Sequence, residues 1–366
     1  MAIGRRLRSA ARRVSRSAPS DPGSSTLSEY LSHFGGRWHL VEKAQRLQWP
    51  QPRCLSATPI DVFAKRLPLT TLDMGVLELE DGCVDTKGWV FGKDSILLPQ
   101  LSWYGGPTRR APRSGPTQTR HLSGTTLALV SNWCNENYAH YLLDGLGRLA
   151  LFERAGFSVS EVDHVYCPSP PKPNAASVLD LLGIPSDKRV EARPEFGVTT
   201  DCLVVPSCPS GSLAYRPWLV DFLRSKMTAP QPGRNLYVSR RGASRQATNE
   251  PQLQALLSQY GFEVYEPADH PNQPADFAGA AVVVGAHGAG LANIVFCRHK
   301  TTLLEIVPTD NAWPMYYSLA VAGDLHYAYL VGESSAHRPP DAFGPSPYDY
   351  VVDLAEVDEA LATVLG

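Results

Sequence analysis

The chain has 366 residues, 43% hydrophobic and 19% charged, with a formal net charge of −2. That length leaves room for about two packed domains, and the balanced charge carries no polyelectrolyte footprint, so nucleic acid is not expected as a partner. Seven scattered cysteines with no CxxC pair, and the lack of any Asn-x-Ser/Thr sequon, favour reduced thiols in a cytosolic setting over a disulfide framework.

Residues 1–20 carry Arg5, Arg6, Arg8, Arg12, Arg13 and Arg16 with no acid, while Ile3, Leu7, Ala10, Ala11 and Val14 recur at helical spacing. Three readings stay open: a helix lying on an anionic membrane face, a disordered basic tail, and an organelle-targeting peptide. Residues 17–25 form a Ser/Pro/Gly linker. Short strand-like runs follow at 76–79 and 88–91, then a Pro-, Gly-, Thr- and Arg-rich loop at 105–124 beside a cleft, then a strand at 125–130.

A helix is predicted over 138–155, with Leu142, Leu143, Leu146, Leu149 and Phe152 on one face. Asn137, His140, Asp144 and Arg148 form a polar stripe at three- and four-residue steps, which suits either a solvated face or a row of reactive groups. Gly145-Leu146-Gly147-Arg148-Leu149-Ala150 fits the dinucleotide fingerprint by letters, but it lies inside this helical pattern without the strand-to-turn context. Strands at 162–167 and 203–206 flank a helix at 175–182, and the two prolines within 225–233 mark a hinge.

The next strand, 235–238, runs into Ser239, Arg240 and Arg241, with Arg245 shortly after. The following helix places Leu253, Leu256, Leu257 and Tyr260 on one face and stops at Gly261; Asn249 reads as its cap. The arginines therefore sit on a strand-to-helix connection, the edge where open α/β sheets take ligands, and arginine suits bidentate phosphate contact. The strand 262–265 comes next. Beyond it the apolar run 280–284 leads into GAHGAGLAN at 285–293, followed by a short helix and a strand at 303–308. Glycines at a helix mouth let backbone N–H groups meet an anion. The turn lacks a Walker Lys-Ser/Thr, and no Gly-x-Ser-x-Gly elbow exists to supply an acyl-transfer nucleophile. A strand at 325–330 and a helix at 355–365 complete the reading.

The run LYVSRRGASRQATNE, then GFEVYEP, Gln273 ahead of Asp276, GAHGAGLANIVF and LLEIVP resembles the family 61 glycosyltransferases in order and spacing. The segment from Asn137 to Asp144 is similar to that family's Asn-Tyr-x-His-Trp-x-x-[Asp/Glu] element, with Tyr141 in place of the usual Trp. Ala281 departs from the acidic residue common there. The resemblance covers residues 125–310 and implies an α/β, GT-B-like protein. Two Rossmann-like domains are expected, at 26–228 for the acceptor and 229–335 for the donor. A basic tail and linker at 1–25 precede them, and an extension at 336–366 has a helix packing back on the first domain. It implies an inverting transferase that uses a nucleotide-diphosphate sugar without a bound metal. No Asp-x-Asp or His-Glu-x-x-His occurs in the chain.

On this resemblance Arg240, Arg245, His287, Gly288, Ala289, Gly290, Asn293 and Glu305 bind the donor, Glu305 through a ribose hydroxyl; from the residues alone Asn293 equally suits a helix cap, and a structural pair is the alternative for Glu305. Asn137, Tyr141 and Arg148 face the acceptor. Asp144 is the base, with His140 orienting it or the acceptor. The implied partner is a glycan or lipid-linked glycan in bacterial capsular or exopolysaccharide assembly, at the cytoplasmic side of the membrane, with peripheral contact through the N-terminus. Two rivals remain: a eukaryote-like protein or glycan O-glycosyltransferase, and an inactive sugar-nucleotide or polysaccharide-binding module.

Overall fold

The computed structural model describes residues 26–366 apart from 62, 64–66, 103–111, 113, 210–212, 228–232 and 340–343. The basic segment 1–20, the linker 17–25, part of the expected loop at 105–124 and the centre of the expected hinge lie outside the described residues.

The chain forms two compact units, Met1–Gln45 with Leu72–Gly211, and Arg46–Thr71 with Ser212–Gly366. This redraws the expected boundary in two places. Residues 46–71 belong to the second unit because a strand at Arg53–Cys54 pairs there, and Trp49 and Phe63 pack against Tyr317 and Tyr329. The changeover along the chain falls at 211/212, ahead of the expected hinge.

Unit 1 opens with helix α1 (Leu27–Phe34), fixed by a capping box between Thr26 and Glu29. Its sheet holds β1 (Arg37–Glu42). The short strands β2 (Arg46–Leu47), β3 (Arg53–Cys54) and β4 (Leu69–Thr70) fall in unit 2. The unit 1 sheet continues with β5 (Met74–Val84), β6 (Val90–Phe91), β7 (Thr119–Ala128), β8 (His164–Cys167), β9 (Arg189–Glu191) and β10 (Gly197–Pro206). The order is β1-β5-β10-β7-β8-β9, with β6 on β5. β10, β7, β8 and β9 run parallel, while β5 is antiparallel to β1 and β10. β7 starts at Thr119, so residues 119–124, read as loop from their composition, are strand held by pairing to β10. Helices α2 (Arg148–Arg154) and α3 (Ser177–Leu181) serve the β7–β8 and β8–β9 connections.

Beyond residues 46–71, unit 2 resumes with α4 (Pro217–Ser225) and carries β11 (Arg234–Val238), β12 (Phe262–Tyr265), β13 (Ala280–Ala286), β14 (Thr302–Pro308), β15 (His326–Ser334) and β16 (Tyr350–Val352) in the order β12-β11-β13-β14-β15-β16. All pairs are parallel except β15–β16, and β3 joins β15 in parallel. The central strands β13 and β14 are buried almost throughout, as a parallel sheet covered on both faces requires. The covering helices are α5 (Glu250–Gln259), α6 (Gln273–Ala278), α7 (Met315–Ala322) and α8 (Leu354–Leu365). α8 packs on α5 and β15, and Val357, Ala360 and Leu361 join the core of unit 2. The expected helix returning to the first domain is thus an element of the second. Among the described residues no helix is long and apolar enough to cross a membrane.

α5 behaves as its periodicity predicts: Leu253 and Leu257 are buried, Leu256 and Tyr260 pack at the margin, and Gly261 ends it at φ 74°. Asn249 does not cap it. Its amide Nδ2 donates to Val352 O, and its Oδ1 accepts from Val352 N, which ties the helix start to β16.

A Cβ on Gly261 would meet nothing within 4 Å, so substitution acts through the backbone alone. Gly261→Ala is expected to destabilise unit 2 by about 1 kcal/mol, lowering its thermal midpoint by about 2–4 °C in a calorimetric scan, and Gly261→Asn by less.

Candidate functional site

In unit 2 the chain leaves β11 toward β12 on one side and returns as β13 on the other. Connections that part in this way leave a crevice over the carboxyl ends of the two strands. Val238, the last residue of β11, lies opposite Gly285 of β13, so the two following segments start side by side. Arg240 thereby meets the glycine turn. A Cβ on Gly288 would lie 1.5 Å from Arg240 Nη1, so only glycine leaves room for this guanidinium. Gly288 itself is extended, at φ −178°, and needs no left-handed conformation. The short helix that follows, Ala289–Phe296, is of the tight 3-10 kind.

Arg240 is held by its own loop: Nε donates to Ser244 O and Arg245 O, and Nη2 to Ser244 O at 2.6 Å. Arg245 takes φ 59° and donates through Nη1 to Ser346 O at 2.8 Å, while its Nε is buried with no hydrogen-bond partner among the described residues. Burial, then the charges of Arg240 and Arg338, bring the Arg245 guanidinium down to about 10. Burial also lowers Arg240. Three guanidiniums thus share one neighbourhood, an arrangement suited to a multivalent anion. Arg338 has no local signal in sequence; it reaches the cluster from beyond β15.

His287 opens the turn and is buried. Its Nδ1 is 2.6 Å from Glu305 Oε1, and Tyr327 donates to Glu305 Oε2 at 2.7 Å. Glu305 is fully buried, with both oxygens engaged by protein. This corrects the expected ribose contact: the carboxylate orients His287. Asn293 is likewise fully buried, and its Nδ2 donates to Gln273 Oε1 and Gly290 O; Gln273 in turn donates to Pro267 O. Asn293 braces the turn from behind rather than meeting a donor. Ala289 and Gly290 are part-exposed at the mouth of the 3-10 helix. Tyr316, unmarked in sequence, donates to Gly288 O at 2.5 Å and sets its ring 4.9 Å from that of His287.

Unit 1 repeats the reversal. β7 leads to β8 and β9 on one side, and β10 returns on the other. The helix after β7 is wound as a π-helix over His140–Leu146, shown by the bond from Gly147 N to Leu142 O, and only then becomes α2. Such wider turns recur at functional sites. His140 Nδ1 lies 2.5 Å from Asp144 Oδ2, with side-chain exposures of 16% and 1%. The imidazole is therefore the accessible member of the pair.

Burial corrects two of the acceptor-side expectations, Arg148 and Tyr141. Arg148 is fully buried and donates to three carbonyls, those of Asp144, Pro206 and Leu101. It anchors the helix to the end of β10. Tyr141 is fully buried and donates to Ala175 O, and Asn137 Oδ1 accepts from Ala139 N at the helix start. The predicted stripe therefore divides into a His140–Asp144 pair that is accessible through its imidazole, a buried structural arginine, and the part-exposed Asn137.

Residues 138–304 match the family model described as Glycosyltransferase 61. The match agrees with the resemblance read from the motifs and supports glycosyltransferase activity in general. No curated protein matches the chain.

A base whose folded pKa is depressed costs stability while it is charged, here below pH about 10, and the cost fades as pH rises from there through its ordinary value. A bound diphosphate relieves that cost. Pyrophosphate is thus expected to raise the melting temperature at pH 7–9, with the gain shrinking above pH about 10. Gly288→Ala displaces the flexible Arg240 head rather than backbone, so it is expected to weaken pyrophosphate about tenfold in calorimetry while cooperative melting persists.

Proposed function

We propose, from the glycosyltransferase family 61 domain carried by residues 138–304, that this protein moves a sugar from a nucleotide-diphosphate donor to a hydroxyl acceptor with inversion, on a GT-B-like plan. The observation that carries the reading is the meeting of Arg240 with the Gly288 turn over the reversal point of unit 2. As the glycosidic C–O bond breaks, negative charge grows on the leaving diphosphate. Arg240, Arg245 and Arg338, with the N–H groups at the start of the 3-10 helix, are the donors that meet it in place of a metal ion. His287, oriented by Glu305, adds a further donor or charge at the same turn.

The acceptor hydroxyl must lose a proton as its oxygen attacks the anomeric carbon from the face opposite the diphosphate. Asp144 is buried and bonded to His140 Nδ1, so the carboxylate fixes the tautomer that leaves the lone pair on Nε2. The roles expected from sequence are exchanged: His140 is the base and Asp144 its orienting partner. Assembly of a cell-surface polysaccharide from a glycan or lipid-linked glycan, at the cytoplasmic face, is the setting we assign by family resemblance.

A thermal-shift panel of nucleoside diphosphates tests the donor half, since a ligand at 100 times its dissociation constant adds about 2.7 kcal/mol. No shift with any of them would remove the transferase reading. His140→Ala is expected to lower turnover about 10²-fold or more, and Asp144→Asn by a similar or smaller factor, with nucleotide affinity unchanged in both. Retained turnover in His140→Ala alone would return the base to Asp144.

A further inference from the structure

The turn joining β7 to the π-helix is held in an unfavourable form. Trp133 lies at φ 61°, a left-handed conformation that glycine or asparagine enters readily and a bulky side chain rarely does. Before it, Ser131 and Asn132 are both more than nine-tenths buried, yet Ser131 Oγ and Asn132 Nδ2 have no hydrogen-bond partner among the described residues. Strain and unmet polar groups of this kind gather where a chain presents a side chain for function. The residue presented is Trp133. Trp133 is part-exposed, with its ring centroid 5.3 Å from that of His140 and the planes inclined at 51°.

The turn also occupies the edge where a ligand is expected, over the carboxyl end of β7 at the reversal point of unit 1. Tyr141 and Arg148 are buried and committed to internal hydrogen bonds. Acceptor recognition therefore falls to part-exposed residues around His140, Trp133 and Asn137 among them.

We infer that Trp133 is the acceptor platform, taking the apolar C–H face of a pyranose ring and presenting one of that sugar's hydroxyls to His140. The inference rests on the transferase reading above and narrows its acceptor to a sugar residue of a glycan. An indole offers a wide, rigid, electron-rich face to weakly positive C–H groups. A serine or threonine hydroxyl on a peptide has no comparable face to lay on it.

Full-length protein is examined by saturation-transfer NMR with methyl β-D-glucopyranoside, methyl β-D-galactopyranoside and methyl α-D-mannopyranoside, with N-acetylserinamide as the peptide-hydroxyl control. UDP affinity is measured in parallel by calorimetry. Wild type is expected to saturate the ring C–H protons of at least one glycoside and not the serine derivative. Trp133→Ala should weaken that glycoside about tenfold and Trp133→Phe only about threefold, with UDP affinity unchanged. Trp133→Gly, which relieves the left-handed strain, should melt no lower than wild type while losing the glycoside. Equal saturation in Trp133→Ala, preference for the serine derivative, no glycoside contact in wild type, or a clear fall in the melting temperature of Trp133→Gly would each overturn the inference. Such a result with UDP binding intact leaves the transferase reading standing. If neither UDP nor any other nucleoside diphosphate binds, the transferase reading falls, whatever the glycosides do.

Discussion

Two neighbouring parallel strands whose connections leave to opposite sides cannot both be covered at their carboxyl ends, and this constraint places every reactive group described above. In unit 2 the strands are β11 and β13, and the pairing of Val238 with Gly285 brings both chains out of the sheet at one level. Arg240 and the glycine turn then have to share the opening. In unit 1 the strands are β7 and β10, paired through Leu127 and Val204. There the π-helix is drawn to the end of β10 by Arg148, whose guanidinium holds Pro206 O. Strand order thus decides where the sites lie, and the side chains at the openings decide what they do.

Each opening holds a histidine bonded through Nδ1 to a carboxylate, but the two pairs differ in the surroundings of the carboxylate. Glu305 has a second donor, Tyr327, and is sealed in the sheet. Removing one partner of such a buried ionic group typically costs about 3–5 kcal/mol, so a group engaged on both oxygens is a poor candidate to exchange partners with a substrate. Burial raises the Tyr327 hydroxyl well above its usual range, with Glu305 adding to the shift, so this phenol stays a donor to the carboxylate. His140 differs in exposing part of its ring beside Trp133. One pair has the character of a fixed support, the other of a group that can exchange a proton.

Much of this was legible in the sequence because it depends on local pattern. The period of Leu253, Leu256, Leu257 and Tyr260, the stop at Gly261, and the apolar runs before and after the glycine turn all reappear as elements. The turn and Arg240 could be matched to each other because strand-to-helix connections in a parallel sheet share one edge. What was hidden depends on contacts between distant residues. A polar stripe at three- and four-residue steps cannot reveal that Arg148 spends its donors on Leu101 and Pro206, 47 and 58 residues away. Arg338 and Tyr316 carry no motif and gain their meaning only from β15 and α7 lying beside the turn. The π-winding of residues 140–146 left no mark in the hydrophobic pattern, because seven residues make too few turns to separate its period from that of an α-helix.

The choice of arginine at the unit 2 opening follows from the burial of that opening. Arg245, shielded from water and facing two other guanidiniums, is brought down to about 10 and still carries its charge at neutral pH. A lysine starts about two units lower, near 10.4, so an environment of equal severity would bring it toward the physiological range and let it discharge. A compact ammonium would also leave unmatched the several oxygens of a diphosphate that a planar fork can grip two at a time. Like charges gathered without a bound anion are a standing destabilisation of the empty unit, and binding relieves it. On the proposed reading the cluster favours the most highly charged ligand that fits, and because loss of the sugar leaves the nucleoside diphosphate more negative than the donor, it stabilises the leaving group more than the sugar nucleotide.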